Sequence, residues 1–347
     1  MRTLRTGAWR VVELLTTPLV PADYLDVIAP LRNPAVLRAR VEAVRPETAT
    51  SATLVLRPGR GWLPHQPGQY LRVGADIDGV RLWRSYSITS RPGDLVTITV
   101  SAVPGGAVSN HLITNARRGM ILHLEPPTGE FVLSDPRPAK ALFLTAGSGI
   151  TPVMGMLRSA LPDLPDVVVV HSAPTPEAVV FGAELRSLAA AGRIRLIERH
   201  TRADGRIKPA DLAGLVPDLF ERQAWACGPN EMLDDLEEHW AGTGLLRTER
   251  FRPVLLNSGE GGPVTFAQTG TVVPTDGSRP LLESGEAAGV LMPSGCRMGI
   301  CFSCVLPLRE GAVRDLRDGT LTVAEPGDRI PVQTCVSAAA GPCTFDH

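Results

Sequence analysis

The sequence predicts a multidomain chain in which an antiparallel β-barrel is followed by an α/β domain built on a parallel sheet. Three observations predict it. The chain has 347 residues, longer than one hydrophobic core usually serves, so two or three domains are expected. Between about 37 and 135 it reads as short apolar strands separated by turns, which 34 glycines and 31 prolines supply. From about 137 the rhythm changes to strand, glycine turn and helix.

Composition excludes several function classes. Apolar residues at 44% and charged residues at 20% describe a soluble globular protein. A formal charge of -1 leaves no basic footprint, so no nucleic-acid partner is expected. The longest apolar runs, "VVVV" at 167–170 and "ALFLT" at 141–145, fall far short of the roughly 20 residues a membrane span needs. The opening stretch, "MRTLRTGAWRVVELLTTPLVPADY", breaks at Glu13 and at two prolines without a cleavage site, so it reads as part of the mature chain. A cytoplasmic, reducing compartment follows, in which clustered cysteines are metal ligands or catalytic groups rather than disulfides.

The barrel strands read as "TLVLRP", "QYLRVGA", "LWRSYSITS", "LVTITVSAV", "MILHLEP" and "EFVL". Within the third, Arg84 and Tyr86 point to one face and Ser85 and Ser87 to the other. Such a row suits an arginine on a phosphate and a tyrosine along a flavin, although an ordinary half-buried strand has the same pattern. In "GGAVSNHL" (105–112), glycines including Gly106 precede a short helix bearing Ser109. A helix N-terminus there would bind a pyrophosphate, and a plain strand-to-helix turn is the bland alternative.

The second domain opens with "KALFLTAGSGITPVMGMLRSAL" and continues through "DVVVVHSAP", a helix through "EAVVFGAELRSLAAAG", "RIRLIERHT" and "QAWACGPNEMLDDLEEHW". The alternation implies helices on both faces of the sheet, with ligands at the carboxyl ends of the strands. The "GSGITP" turn (147–152) lacks the full GxGxxG fingerprint, so a standard Rossmann dehydrogenase is not indicated.

Three of only six cysteines crowd into "PSGCRMGICFSC" (293–304). Cys296, Cys301 and Cys304 have the spacing C-x4-C-x2-C, and Cys335 follows in "PVQTCVSA". This is the plant-type arrangement for a 2Fe-2S cluster, in which one loop supplies three thiolates and a distant segment the fourth. A zinc site would pair two short hooks instead. Gly295 and Gly299 are expected to let the loop turn tightly and bring N–H groups to the sulfurs. Cys227 and Cys343 do not fit the spacing. "RPLLESGEAAGV" (279–290) reads as a helix running into the loop.

From about Val264 to the end the chain resembles the plant-type ferredoxins, which implies a small α+β, β-grasp sheet with one helix. From about 37 to 252 it resembles the ferredoxin-NADP reductase family, on RxYS at 84–87, GxxS at 106–109, "GSGITP" and the "CGP" at 227–229, in that order. Together they look like the single-chain reductases of oxygenases and desaturases, with an arm at 1–36, an FAD-binding barrel at 37–136, an NAD(P)H-binding α/β domain at 137–253, a linker at 254–263 and a 2Fe-2S domain at 264–347. The resemblance implies that Arg84 binds flavin phosphate and that Ser85, Tyr86 and Ser87 line the flavin. Gly106 and Ser109 would meet the FAD pyrophosphate. Gly147, Gly149 and Thr151 would line the nucleotide site, with Cys227, Gly228 and Pro229 near the nicotinamide. In "ERF" (249–251), Phe251 would cover the flavin face. Cys227 and Phe251 are the candidate catalytic residues. FMN in place of FAD stays open, although the GxxS turn favours the dinucleotide.

Nucleotide choice stays open too, because Pro174 and Ala178 stand where relatives often carry the arginine or aspartate that selects NADPH or NADH. Arg202 and Arg206, with help from Ser172, favour NADPH through its 2′-phosphate. The implied activity is NAD(P)H-dependent electron transfer through FAD and the cluster to an oxygen-activating partner. A membrane di-iron desaturase or hydroxylase comes first, and a Rieske oxygenase or cytochrome P450 next; "TTPLVPADYLDVIAPLRNP" resembles the leader of desaturase reductases, although a packing arm on the barrel is the preferred reading of residues 1–36. A monomer is expected. A redox sensor and a non-enzymatic electron conduit are the alternatives; the first lacks an output element and the second is opposed by the intact glycine turn and "CGP".

Overall fold

The computed structural model describes residues 28–251 and 253–347, so most of the arm expected at 1–36 lies outside the described residues. Its described end meets the barrel through several contacts, among them the Leu31 carbonyl, which accepts the Arg60 N–H at 2.9 Å, and the Pro30 carbonyl, which accepts from the Arg38 guanidinium at 3.5 Å. The described chain divides into two compact units. One holds residues up to Arg81, Ser85–Trp225 and Leu245–Arg247; the other holds Leu82–Arg84, Ala226–Gly244 and Thr248–His347.

Six strands form the first sheet: β1 (Arg38–Thr48), β2 (Ser51–Pro58), β3 (Tyr70–Ile77), β4 (Val80–Ser87), β5 (Val96–Ser101) and β6 (Ile121–Leu124). Their order is β4-β3-β6-β1-β2-β5, antiparallel, and a bridge between Ile88 and Ile98 ties the end of β4 back to β5. That bridge closes the order on itself, as a barrel requires. Leu54, Leu56, Leu71, Ile88, Ile98 and Leu122 fill the interior. Helix α1 (Ala107–Asn115) follows β5.

Two expectations are corrected here. The first strand, β1, carries alternating charges (Arg38, Arg40, Glu42) and was not among the expected segments. "EFVL" (130–133) forms no strand, because the Val132 carbonyl is taken by side chains: Trp225 Nε1 donates to it at 3.0 Å and an Arg247 nitrogen at 3.1 Å. An apolar run whose carbonyls are claimed this way has no ladder to join.

The second sheet comprises β7 (Lys140–Ala146), β8 (Asp166–Ala173), β9 (Arg195–His200), β10 (Gln223–Cys227) and β11 (Leu246–Glu249), in the order β11-β10-β7-β8-β9. β7, β8 and β9 run parallel. Strand order reverses at β7, and in such sheets ligands bind outside the carboxyl ends at that point. Helices α2 (Ile150–Ala160), α3 (Gly182–Ala190), α4 (Thr201–Asp204), α5 (Pro209–Leu215) and α6 (Asn230–His239) connect the strands. The helix expected through 177–192 begins only at Gly182, because Phe181 stands before it in the left-handed region, φ 59°.

The third sheet is mixed: β12 (Gly262–Phe266), β13 (Thr271–Thr275), β14 (Val305–Asp315), β15 (Leu321–Ala324) and β17 (Ser337–Phe345) in the order β13-β12-β17-β14-β15, with β16 (Ile330–Gln333) on β14. β12 and β17 pair in parallel and the other pairs are antiparallel. Helix α7 (Leu281–Ala287) buries Leu281 and Leu282 beside Phe266 and Phe345, whose rings stack with centroids 6.4 Å apart. It is shorter than the 279–290 expected, since Pro280 caps its start and Gly289, φ 81°, ends it. The architecture is therefore an antiparallel barrel, a parallel α/β sheet and a small mixed sheet with one main helix.

Candidate functional site

The RSYS row lies at the end of β4. Arg84, Ser85 and Tyr86 are half-buried and Ser87 is buried. The Oγ atoms of both serines are buried without a hydrogen-bond partner, a costly state for a hydroxyl unless a ligand supplies one. The Arg84 guanidinium donates to the Trp83 carbonyl at 2.7 Å. Two orphaned hydroxyls on a strand with an arginine and a tyrosine fit the edge of a flavin.

Gly106 is the N-cap of α1, and no acidic residue occupies the first turn. A side chain on Gly106 would meet Ser109 Oγ at 2.5 Å, so the glycine leaves the approach to the helix open. Buried Ser109 donates weakly to the Gly106 carbonyl at 3.4 Å. These features fit a pyrophosphate at the helix N-terminus.

Gly147 follows β7 at φ 55°, a backbone state that favours glycine, whereas Gly149 is right-handed and caps α2. The first turn of α2 is also free of acids, and Thr151 Oγ1 donates to the Ser148 carbonyl at 2.9 Å. Ser172 is buried near the carboxyl end of β8, in register with Arg199. The Arg199 guanidinium binds the Asp204 and Gly205 carbonyls at 2.5 and 3.2 Å, which ties down the turn carrying Arg202 and Arg206. The Arg202 N–H donates to the Pro174 carbonyl at 3.2 Å, so the two loops meet, and both arginines are exposed.

Cys227 ends β10, fully buried; Gly228 follows and Pro229 is the N-cap of α6. Burial, and then the nearby Glu249 carboxylate, pushes the Cys227 thiol well up. Glu249 has a buried Oε2 without a partner, and burial pushes its carboxyl up to about 8. The motif "ERF" contains Glu249, yet the sequence reading names only Phe251 in it; the strand that Glu249 closes reads LRTE, polar at three of four positions, and carries no local signal of a buried carboxyl. Phe251 is 41% exposed.

The cluster cysteines stand as two pairs. The Cys296 N–H donates to Cys301 Sγ at 3.2 Å, and the Met298 N–H to Cys296 Sγ at 3.2 Å. Cys335 donates to the Cys304 sulfur, lowering the Cys304 thiol to about 6, while Cys335 itself is raised by that bond. The Gly299 N–H reaches the Cys335 sulfur. Two sulfurs per pair, each pair with amide N–H groups, fit a two-iron cluster with two thiolates on each iron. Among the described residues no three His, Cys, Asp or Glu side chains converge as on a single metal ion. Gly299 has φ 72°, as expected, but Gly295 does not; the other left-handed positions of the loop are Arg297 and Phe302. Cys343 is buried in β17 with its thiol pushed up to about 12 by burial.

Comparison with known proteins identifies the domains. Residues 41–133 match the oxidoreductase FAD-binding domain, 143–238 the oxidoreductase NAD-binding domain, and 264–340 the 2Fe-2S iron-sulfur cluster binding domain. The chain is 49% identical over 350 residues to an NADPH oxidoreductase of Mycobacterium tuberculosis, covering 97% of this chain and 91% of that one. It is 32% identical over 331 residues to the ferredoxin reductase component of a 3-ketosteroid-9-alpha-monooxygenase of Mycolicibacterium smegmatis, covering 84% and 91%. The fold matches phthalate dioxygenase reductase with a TM-score of 0.58 at 22% identity, over 91% of this chain and all of that one. An intact self-sufficient cytochrome P450 monooxygenase matches with a TM-score of 0.56 at 25% identity, over 90% of this chain and 41% of that one. Among the described residues no helix is long and apolar enough to cross a membrane. With FAD-binding, NAD-binding and C-terminal 2Fe-2S domains in one polypeptide, the chain belongs to the reductase family that passes electrons from NAD(P)H through FAD and a 2Fe-2S cluster to oxygenase and P450 systems.

Proposed function

We propose that the protein is an NADPH-dependent reductase that delivers single electrons from its C-terminal cluster to an oxygen-activating partner, an oxygenase, P450 or di-iron desaturase. The observation that carries this reading is the convergence of the four cysteines, with the Cys296 N–H on Cys301 Sγ at 3.2 Å and Thr334, the neighbour of Cys335, donating to the Cys304 carbonyl at 2.8 Å, at the end of a chain that also has FAD-binding, NAD-binding and 2Fe-2S domains. When bound, FAD accepts a hydride from the nicotinamide and gives its electrons up singly, which the cluster relays one at a time.

The chain's own groups position and enclose. Arg84, Ser85, Tyr86 and Ser87 hold the flavin, and Gly106 and Ser109 leave the α1 N-terminus open to its pyrophosphate. Gly147, Gly149 and Thr151 shape the nucleotide turn. Cys227, Gly228 and Pro229 lie beside the nicotinamide, and Phe251 covers the flavin until the nucleotide enters. Glu249, protonated through most of the neutral range, keeps this region without a fixed negative charge. Ser172, Arg202 and Arg206 recognise the 2′-phosphate, a reading favoured by the exposed arginines and by the name of the M. tuberculosis relative.

Steady-state reduction of ferricyanide with NADPH and with NADH tests the donor. NADPH is expected to have the higher kcat/KM, and the double substitution Arg202→Ala with Arg206→Ala should raise KM for NADPH about tenfold or more while leaving NADH unchanged. Equal use of both nucleotides would contradict the assignment.

A further inference from the structure

Helix α2 begins at the nucleotide turn and ends against the strand segment that follows RSYS. Its residue Arg158 joins three pieces of chain at that end. The guanidinium donates to both Glu184 oxygens, at 2.9 and 2.5 Å, and to the Thr89 carbonyl at 2.8 Å. It also lies over the Phe181 ring, 4.7 Å from the centroid. In return, Arg91 Nε donates to the Arg158 carbonyl at 2.5 Å. Glu184 belongs to α3, Phe181 precedes it, and Thr89 lies two residues beyond Ser87.

The side chain is only 23% exposed, so the bidentate pair is screened less than a surface one. Phe181 is held left-handed beneath it, a conformation that a bulky residue adopts only when its surroundings fix it. Thr89, fully buried, is itself pinned: its N–H donates to the Thr97 carbonyl at 2.8 Å and its hydroxyl meets Thr97 Oγ1 at 2.7 Å. Along the same helix, Gly155 approaches the Ile88 carbonyl so closely that a Cβ would lie 2.4 Å from it. None of these residues belongs to the cofactor-contacting set described above.

We propose that Arg158 is a positioning residue for hydride transfer: its guanidinium fixes the RSYS strand of the barrel relative to the GSGITP turn at the other end of α2. The inference rests on the proposed placement of FAD at RSYS and of the nucleotide at that turn. In the reaction, the C4–H bond of NADPH breaks and its hydrogen passes to flavin N5 with both electrons, leaving NADP+ and the reduced flavin. A rate of that kind is sensitive to ångström-scale displacement of the two partners, by as much as about 100-fold.

The test uses the FAD- and cluster-loaded protein with Arg158→Met, Arg158→Lys and Glu184→Gln, the last being the mildest if Arg158→Met does not fold. Four quantities are read: FAD content, the dissociation constant for NADP+, the anaerobic rate of flavin reduction by excess NADPH, and deuterium uptake at residues 87–91. FAD content and NADP+ affinity should stay within about twofold. Flavin reduction should slow on the order of tenfold in Arg158→Met, less in Glu184→Gln, with partial recovery in Arg158→Lys, and uptake at 87–91 should rise. Wild-type reduction rates in all three variants would overturn the proposal, as would a loss confined to thermal stability. If instead the unsubstituted protein binds no FAD or is not reduced by NADPH, the underlying functional reading fails, which is a distinguishable result.

Discussion

A methyl group on Gly155 would lie 2.4 Å from the carbonyl oxygen of Ile88, so helix α2 and the chain just beyond Ser87 meet backbone to backbone. Real Cβ contacts do not come this close, and neither partner is a flexible side-chain tip. Gly155→Ala should therefore destabilise the protein by about 1–3 kcal/mol, the usual cost of overpacking. Denaturant unfolding of the loaded protein checks it, and FAD should dissociate more readily because the displaced backbone adjoins Ser87.

Glu249 gives a pH signature. Its folded pKa of about 8 lies above the ordinary 4.5, so the native state keeps a proton that the unfolded chain releases. The associated stability is fully present below pH 4.5 and is lost as pH rises through 8. Glu249→Gln removes this slope, and its stability relative to the parent should climb across that window by on the order of a few kcal/mol. Unfolding curves at several pH values measure the difference.

His171 has the opposite sign. It is buried in β8, its Nδ1 2.8 Å from Thr145 Oγ1 and its Nε2 unpartnered, and burial pushes its pKa to about 4. The native state thus resists a proton that the unfolded chain accepts, and stability is lost as pH falls from 6.5 to 4. His171→Gln should flatten the acid limb without altering the behaviour above pH 7.

Among the cysteines, only two of the six are outside the paired set. Cys343→Ser should retain the visible absorption of the cluster and cost about 1–3 kcal/mol, since a hydroxyl would replace a buried thiol. Cys335→Ser should abolish that absorption or leave it sharply altered. Iron and sulfide analysis of both variants separates the outcomes.

How far the sequence carried the structure depended on where the information was local. RSYS, the glycine turns and the four cysteines are compact motifs with a chemical reason for each residue; Ser85 and Ser87 keep unpartnered buried hydroxyls and Gly147 and Gly299 are left-handed, whereas Gly149 is right-handed and Gly295 is not left-handed. β1 was missed because its alternation interleaves charge with small apolar residues, Ala39, Val41 and Ala43, which signal burial weakly. "EFVL" misled because its carbonyl partners, Trp225 and Arg247, are about a hundred residues away in sequence. Phe181 delayed a helix through a left-handed residue that no propensity anticipates. Glu249 stood in a quoted motif, but its burial is a tertiary property.

The central claim is that electrons entering from a nicotinamide reach a cluster held by Cys296, Cys301, Cys304 and Cys335. Anaerobic titration of the fully iron-loaded protein with NADPH, followed by visible absorption and low-temperature EPR, tests it most directly. The flavin band is expected to bleach and a rhombic signal of a reduced 2Fe-2S cluster to appear in near-stoichiometric yield. Bleaching of the flavin with no such signal would contradict it.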